Sequence, residues 1–128
     1  MIIHKKITQL SPWVSLVEKT VNLQSGPAPY HCFAQDDYVT ALAIREDGKI
    51  AIVRQFRAAI EIFNWELPGG IVDPGQTPFQ ACEKELSEES GLIVQESYEL
   101  GAHYPDCGRL ENKIHSFFVT ATSNTRFI

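Results

Sequence analysis

Gly70-Ile-Val-Asp-Pro-Gly-Gln-Thr-Pro-Phe-Gln-Ala-Cys-Glu-Lys-Glu-Leu-Ser-Glu-Glu-Ser-Gly91-Leu92 reads as a glycine loop, a short helix and a glycine stop. Thr77 is suited to the N-cap, Gln80 three residues on completes a capping box, and Pro78 falls at the first helical position. Gly91 suits the left-handed position past the helix end. At helical spacing Phe79, Cys82 and Leu86 share one face, and Glu85, Glu88 and Glu89 lie at its edge. Those three acids crowd the C-terminal turns, where the helix dipole is already negative. Glu85–Glu88 and Glu85–Glu89 are also like-charged neighbours, each pair costing roughly 0.2–0.5 kcal/mol. A hard divalent cation held by oxygen ligands would offset this cost. The alternative is a solvated acidic face without a ligand.

Working outward, 128 residues allow one domain with an ordinary core. A net charge of −5 argues against a general nucleic-acid or membrane-surface binder. No basic run, leader-like segment or long apolar span is seen. Cys32, Cys82 and Cys107 are widely spaced and form neither a zinc pattern nor an evident disulfide framework, which points to a reducing cytoplasm. Cys82 reads as core.

Alternation predicts a strand over Trp13–Leu23, with a slip at Val17, and a turn or loop over Gln24–Pro29. Tyr30–Gln35 can return as a strand. Tyr38–Arg45 and Lys49–Phe56 are β-rich and joined by the hairpin signal Glu46-Asp47-Gly48. Ala58–Trp65 reads as a loop or short irregular strand. After the helix, strands are expected at Tyr98–Tyr104 and Lys113–Thr122, connected by Pro105–Asn112. Strands, one helix, then strands imply an α+β (mixed α/β) sheet domain.

The quoted stretch resembles the Nudix box: Gly, five residues, Glu, seven residues, Arg-Glu, an aliphatic residue, any residue, Glu-Glu, any residue, Gly, an aliphatic residue. Gly70, Glu85, Leu86, Glu88, Glu89, Gly91 and Leu92 fall on that pattern. Gln76 stands where Glu is usual and Lys84 where Arg is usual. In the family these two mostly brace the loop and orient the acids. Gln76 keeps hydrogen bonding without charge, and Lys84 keeps charge without the planar fork. The expectation is a weaker or slower metal site, not an abolished one.

The resemblance implies the Nudix fold, a mixed sheet with the Nudix loop-helix, spanning residues 36–128. It also implies a second helix near the C-terminus. Ser123-Asn-Thr-Arg-Phe-Ile128 is too short to supply it, so the expectation is an abbreviated or shortened member.

Outside the box the likeness is to ADP-ribose pyrophosphatases and related nucleoside-diphosphate-sugar hydrolases. It is carried by Trp13-Val-Ser-Leu-Val-Glu-Lys-Thr20, Arg54-Gln-Phe-Arg57, Glu66-Leu-Pro-Gly69 and Pro105. It implies Mg²⁺ (or Mn²⁺) bound by Glu85 and Glu89, with Glu88 as ligand or as acceptor for metal-bound water, and a backbone oxygen from Gly69. Arg57 can hold phosphate in a fork; its alternative is a strand-end surface arginine. Trp13 and Tyr30 resemble positions that stack on adenine; their alternative is sheet packing. Glu66 either contacts substrate or pairs with Arg57. Glu111 can approach the metals from its loop, or is an exposed loop charge.

The resemblance also implies a homodimer, with residues 1–35 as an N-terminal β-hairpin region that completes the partner's pocket. Two readings follow: a Mg²⁺-dependent pyrophosphohydrolase cleaving ADP-ribose or a related nucleotide sugar, or a nucleotide-binding or regulatory domain with little turnover.

Overall fold

Small side chains decide how the helix sits on its sheet. In the computed structural model, which describes residues 1–123, strand β4 (Tyr38–Arg45) buries Val39, Ala41 and Ala43 at alternate positions. Two alanines there let a helix approach closely. The helix, α1 (Pro78–Ser90), fills the space with Ala81, Cys82 and Leu86. Strand β9 (Ile114–Ser123) adds Phe117, Val119 and Ala121 from a register parallel to β4. Burial pushes the Cys82 thiol up to about 11, as befits a packing residue.

Chain contacts divide the molecule into two units, Met1–Asp37 with His103–Lys113, and Tyr38–Ala102 with Ile114–Ile128. The first contains the sheet β1-β2-β3, formed by β1 (Ile2–Gln9), β2 (Ser15–Leu23) and β3 (Gly26–Ala34), paired antiparallel. Its loop residues 103–113 join β3 through reciprocal backbone hydrogen bonds, Phe33 N–H to Arg109 O at 2.7 Å and Glu111 N–H to Phe33 O at 3.0 Å. The second contains the four-stranded sheet β7-β4-β9-β8, where β7 is Gly69–Ile71 and β8 is Leu92–His103. It also contains the hairpin β5 (Val53–Arg57) with β6 (Ile62–Glu66).

The helix has the expected bounds and caps. Thr77 Oγ1 accepts from the Gln80 amide at 3.1 Å, while Gln80 Oε1 accepts from the Thr77 amide at 2.9 Å. Gly91 closes it with φ +69°, a left-handed turn that a glycine takes without strain. The hairpin turn after β4 is also present, with Gly48 N–H bonded to Arg45 O.

Several strand expectations are corrected. β2 shows no slip at Val17: its register with β3 runs unbroken from Ser15↔Ala34 to Leu23↔Gly26, and Val17 is its buried residue, opposite Cys32. Gln24–Pro29 is not all turn, because β3 begins at Gly26; Pro27 and Pro29 sit in it because it is a sheet edge, where missing amides go unnoticed. The return from the hairpin after β4 makes only one bridge, Ile44↔Ile50, before β5 starts at Val53. Ala58–Trp65 contributes a regular strand, β6, and β8 starts at Leu92, ahead of Tyr98. β1 was not foreseen. The expectation about a C-terminal helix concerns residues beyond Ser123 and lies outside the described residues.

Candidate active site

Three elements of the second unit converge on one cavity of about 320 Å³. α1 brings Glu85 and Glu89, the β7 segment brings Gly69 and Gly70, and β5 brings Gln55 and Arg57. Tyr38 and Asp73 complete its charged end. Glu88 is exposed and lines no part of it.

Each acid is held differently. Glu89 accepts from Gln55 Nε2 at 3.0 Å on one oxygen and from the Gly69 amide at 3.1 Å on the other. Glu85 packs against Gly70: a Cβ there would stand 2.6 Å from Glu85 Cδ, so the missing side chain makes room for the carboxyl group. Burial raises the pKa of Glu85, and the charges of Glu89 and Glu88 raise it further, against a weaker opposing effect of Lys84. No basic residue lies in the last turn of α1 to relieve this. The site is therefore a pocket of unfavourably placed negative charge.

The two departures from the box pattern still brace the loop. Gln76 Oε1 accepts from the Asp73 amide at 3.0 Å, and the Gln76 amide returns a bond to the Asp73 carbonyl. Lys84 Nζ lies 3.4 Å from Asp73 Oδ2. Both act through Asp73, beside Glu85 rather than on it.

Arg57 is not a loose surface arginine. Its Nε donates to both oxygens of Glu66 (3.0 and 2.9 Å), its Nη2 donates to Glu66 as well, and Nη2 reaches the Tyr38 hydroxyl at 3.4 Å. The bonds to Glu66 raise the Arg57 pKa, and the same contact lowers that of Glu66. Asn64 adds a third donor to Glu66 at 3.1 Å. Of the two alternatives for Glu66, the structure shows the pairing with Arg57. Arg57 lines the same cavity as Glu85 and Glu89, and a guanidinium is a fork donor suited to an anion.

Tyr30, Glu111 and Trp13 belong to the first unit. Tyr30 and Glu111 line a cavity of about 410 Å³ with Arg109, whose guanidinium lies 5.2 Å from the Tyr30 ring centroid. The Tyr30 hydroxyl donates to the Gly108 carbonyl. Glu111 pairs with Lys19 at 3.0 Å, and that hydrogen bond raises the Lys19 pKa. Trp13 lies in the bend before β2 and is largely exposed.

Sequence reasoning passed over Gln55 and Tyr38. Gln55 had a signal, because it shares a strand face with Arg57 two residues on. Tyr38 had none.

Among the described residues no group of three or more His, Cys, Asp or Glu side chains is gathered to hold a metal by itself. The site nonetheless fits a small hard cation. Glu85 and Glu89 supply two carboxylates to the cavity, and Mg²⁺ retains several of its waters when held by one or two carboxylates.

A family model, the NUDIX domain, matches residues 35–127. The chain belongs to the Nudix family. As a Nudix chain it is 32% identical over 85 residues to the ADP-ribose pyrophosphatase of Bacillus subtilis, covering 66% of this chain and 46% of that protein. It is 22% identical over 114 residues to the CMP-5'-(N-acetyl-N-hydroxy-3-aminopropyl)phosphonate hydrolase of Streptomyces rubellomurinus, covering 88% and 55%. It is 38% identical over 84 residues to the 8-oxo-dGTP diphosphatase of Haemophilus influenzae, covering 62% and 57%. The Nudix chain thus spans about half the length of these relatives. Nudix hydrolases generally use divalent metals, and no helix among the described residues is long and apolar enough to cross a membrane.

Proposed function

We propose that this Nudix domain is a Mg²⁺-dependent diphosphatase (Mn²⁺ as an alternative ion) that cleaves ADP-ribose or a related nucleoside diphosphate sugar to a nucleoside monophosphate and a sugar phosphate. The observation that carries this reading is that Glu85, Glu89 and Arg57 line one cavity. The named relatives act on nucleotides, and the first of them is an ADP-ribose pyrophosphatase.

A diphosphate resists hydrolysis because its charge repels nucleophiles. When bound, a divalent cation neutralises phosphate oxygens and lowers the pKa of an attached water. Glu85, Glu89 and the Gly69 carbonyl would hold it, and Glu88 stands outside the cavity as a possible acceptor for an outer water. Arg57 binds a phosphate oxygen while Glu66 and Tyr38 fix its plane. Gln55 and the Gly69 amide orient Glu89, each donating to one of its oxygens. Trp13 and Tyr30 are proposed to stack on adenine, with Glu111 nearby, in a cytoplasmic homodimer whose residues 1–35 serve the partner's site.

The second reading, a nucleotide-binding domain with little turnover, is favoured by one feature: both oxygens of Glu89 already accept protein hydrogen bonds. A panel of nucleotide diphosphate compounds with Mg²⁺, read by phosphate release after phosphatase coupling, separates the two. Turnover of nucleoside diphosphate sugars supports the first; binding without release supports the second.

A further inference from the structure

Cys32 and Cys107 are far apart in sequence, yet both line the cavity of about 410 Å³ in the first unit. Both are free thiols, Cys32 buried and Cys107 exposed. Contacts beside each of them bring the two together. Phe33, next to Cys32, donates its amide to the Arg109 carbonyl at 2.7 Å. Tyr30, two positions from Cys32 on the same strand face, donates its hydroxyl to the carbonyl of Gly108, next to Cys107. The turn 107–109 is thus held against the strand that carries Cys32.

The two thiols have different surroundings. Cys107 stands in an exposed turn, open to reagents in solution. That turn is closed largely on itself, with the amides of Arg109 and Leu110 bonded to the Asp106 carbonyl and the Gly108 amide to Asp106 Oδ1. It can shift by giving up the Tyr30 bond, without opening the sheet. The Cys32 thiol lies 3.8 Å from Glu111 Oε1, and Lys19 Nζ pairs with that same oxygen at 3.0 Å. The hydrogen bond to Glu111 raises the Lys19 pKa, against burial, and Cys32 adds to the rise, so the ammonium stands beside the sulfur as well. A carboxylate is in place to take the thiol proton, and a cation to meet the negative charge on sulfur as it attacks.

We propose that Cys32 and Cys107 form an oxidation site, at which a small disulfide converts them into an intramolecular bridge that draws the turn 107–109 over the cavity. The Cys107 thiolate attacks the small disulfide, forms a mixed disulfide and releases one thiol. Cys32 gives its proton to Glu111 and attacks the Cys107 sulfur. The Cys32–Cys107 bond forms, the mixed disulfide breaks, and the second thiol leaves with a proton. The protein loses two electrons and the small disulfide gains them. A disulfide holds its two Cα atoms within roughly 7 Å, so the bridge closes the cavity mouth and parts Gly108 from Tyr30. None of this depends on the substrate reading given above. Cys82 belongs to the core of the second unit, where burial pushes its thiol up to about 11, and it stays reduced.

The test exposes the reduced full chain to oxidised glutathione without air and follows intact mass and linked peptides. The expected result is a loss of two hydrogens, a linked Cys32–Cys107 peptide, a free Cys82, and reversal by dithiothreitol. Cys32→Ser should stop with one glutathione on Cys107. Wild-type protein that stops at that same adduct, bridges through Cys82 or stays reduced overturns the proposal. Lys19→Met should slow bridging about threefold or more while glutathione attaches to Cys107 at the wild-type rate. An unchanged bridging rate would remove Lys19 from the site. The bridged wild type should melt several degrees above the reduced form, because a bridge that fits constrains the unfolded chain. A lower melting temperature would overturn the closure of the turn over the cavity.

Discussion

The carboxyl group of Glu85 occupies the space that a side chain on Gly70 would fill, its Cδ 2.6 Å from the ideal Cβ position. The glycine that opens the box and the acid on the helix are thus one packing unit. Gly70→Ala should push Glu85 out of the cavity while leaving the core of Val39, Leu86 and Val119 intact. The expected outcome is a loss of Mg²⁺ affinity of at least about tenfold by calorimetry, with an unchanged circular dichroism spectrum. Unaltered affinity would show that Glu85 does not need that position.

Glu89 tests the metal assignment more directly. Glu89→Gln keeps the shape and one acceptor oxygen but removes the charge. It should abolish divalent binding and any hydrolysis without unfolding the protein. Unchanged Mg²⁺ affinity in this variant sinks the assignment.

The raised pKa of Glu85 has a sign that can be measured. Its folded value lies above the unfolded one, so the folded state binds more protons between the two. Glu85 is therefore least harmful at low pH, and stability falls as pH rises through its folded pKa. In chelator, Glu85→Gln should melt higher than the wild type at pH 7. That advantage should vanish once the pH is below the ordinary carboxylate range, where the carboxyl group is neutral in both the folded and the unfolded chain. A variant that melts lower at both pH values would mean that the carboxylate is stabilising without a cation.

How much of this was legible depended on how local the signal was. The helix was read correctly because Thr77, Pro78, Gln80 and Gly91 carry its ends within the segment itself. The paired acids were legible for the same reason. β6 was obscured because Ile62, Phe63 and Trp65 are all exposed, with no apolar-in, polar-out alternation to read. β1 was missed because all of its residues are exposed. β3 was shortened because Pro27 and Pro29 look like a turn until the strand is known to be an edge. Tyr38 and Gln55 reach the site on strands that topology brings to the helix, and neither strand names its neighbour in advance.

Restoring the box pattern tests whether its two departures limit activity. Gln76 and Lys84 both brace Asp73, and Gln76→Glu with Lys84→Arg retains an acceptor and a cation for it. The arginine fork adds a second donor that can reach a carboxylate. Turnover in the double variant should rise, read by phosphate release from ADP-ribose. No gain would mean that bracing is not the limiting step, because the glutamine and lysine already do it.

Assembly is the last outcome to check. Strand β1 and the bend before β2 leave Ile3, Ile7 and Trp13 more than half exposed, at 56%, 67% and 66%. A three-stranded sheet with open apolar side chains gains by covering them, and a two-fold copy of the same chain is the commonest cover. Sedimentation at micromolar concentration should therefore give a dimer of twice 14.4 kDa. Ile7→Lys, which places a charge in the middle of the proposed interface, should shift it to the monomer, and should lower turnover if residues 1–35 serve the partner's site. A clean wild-type monomer rejects the dimer. A dimer that survives Ile7→Lys places the interface elsewhere; the exposed face of the β5–β6 hairpin, with Phe56, Phe63 and Trp65, is then the surface to mutate next.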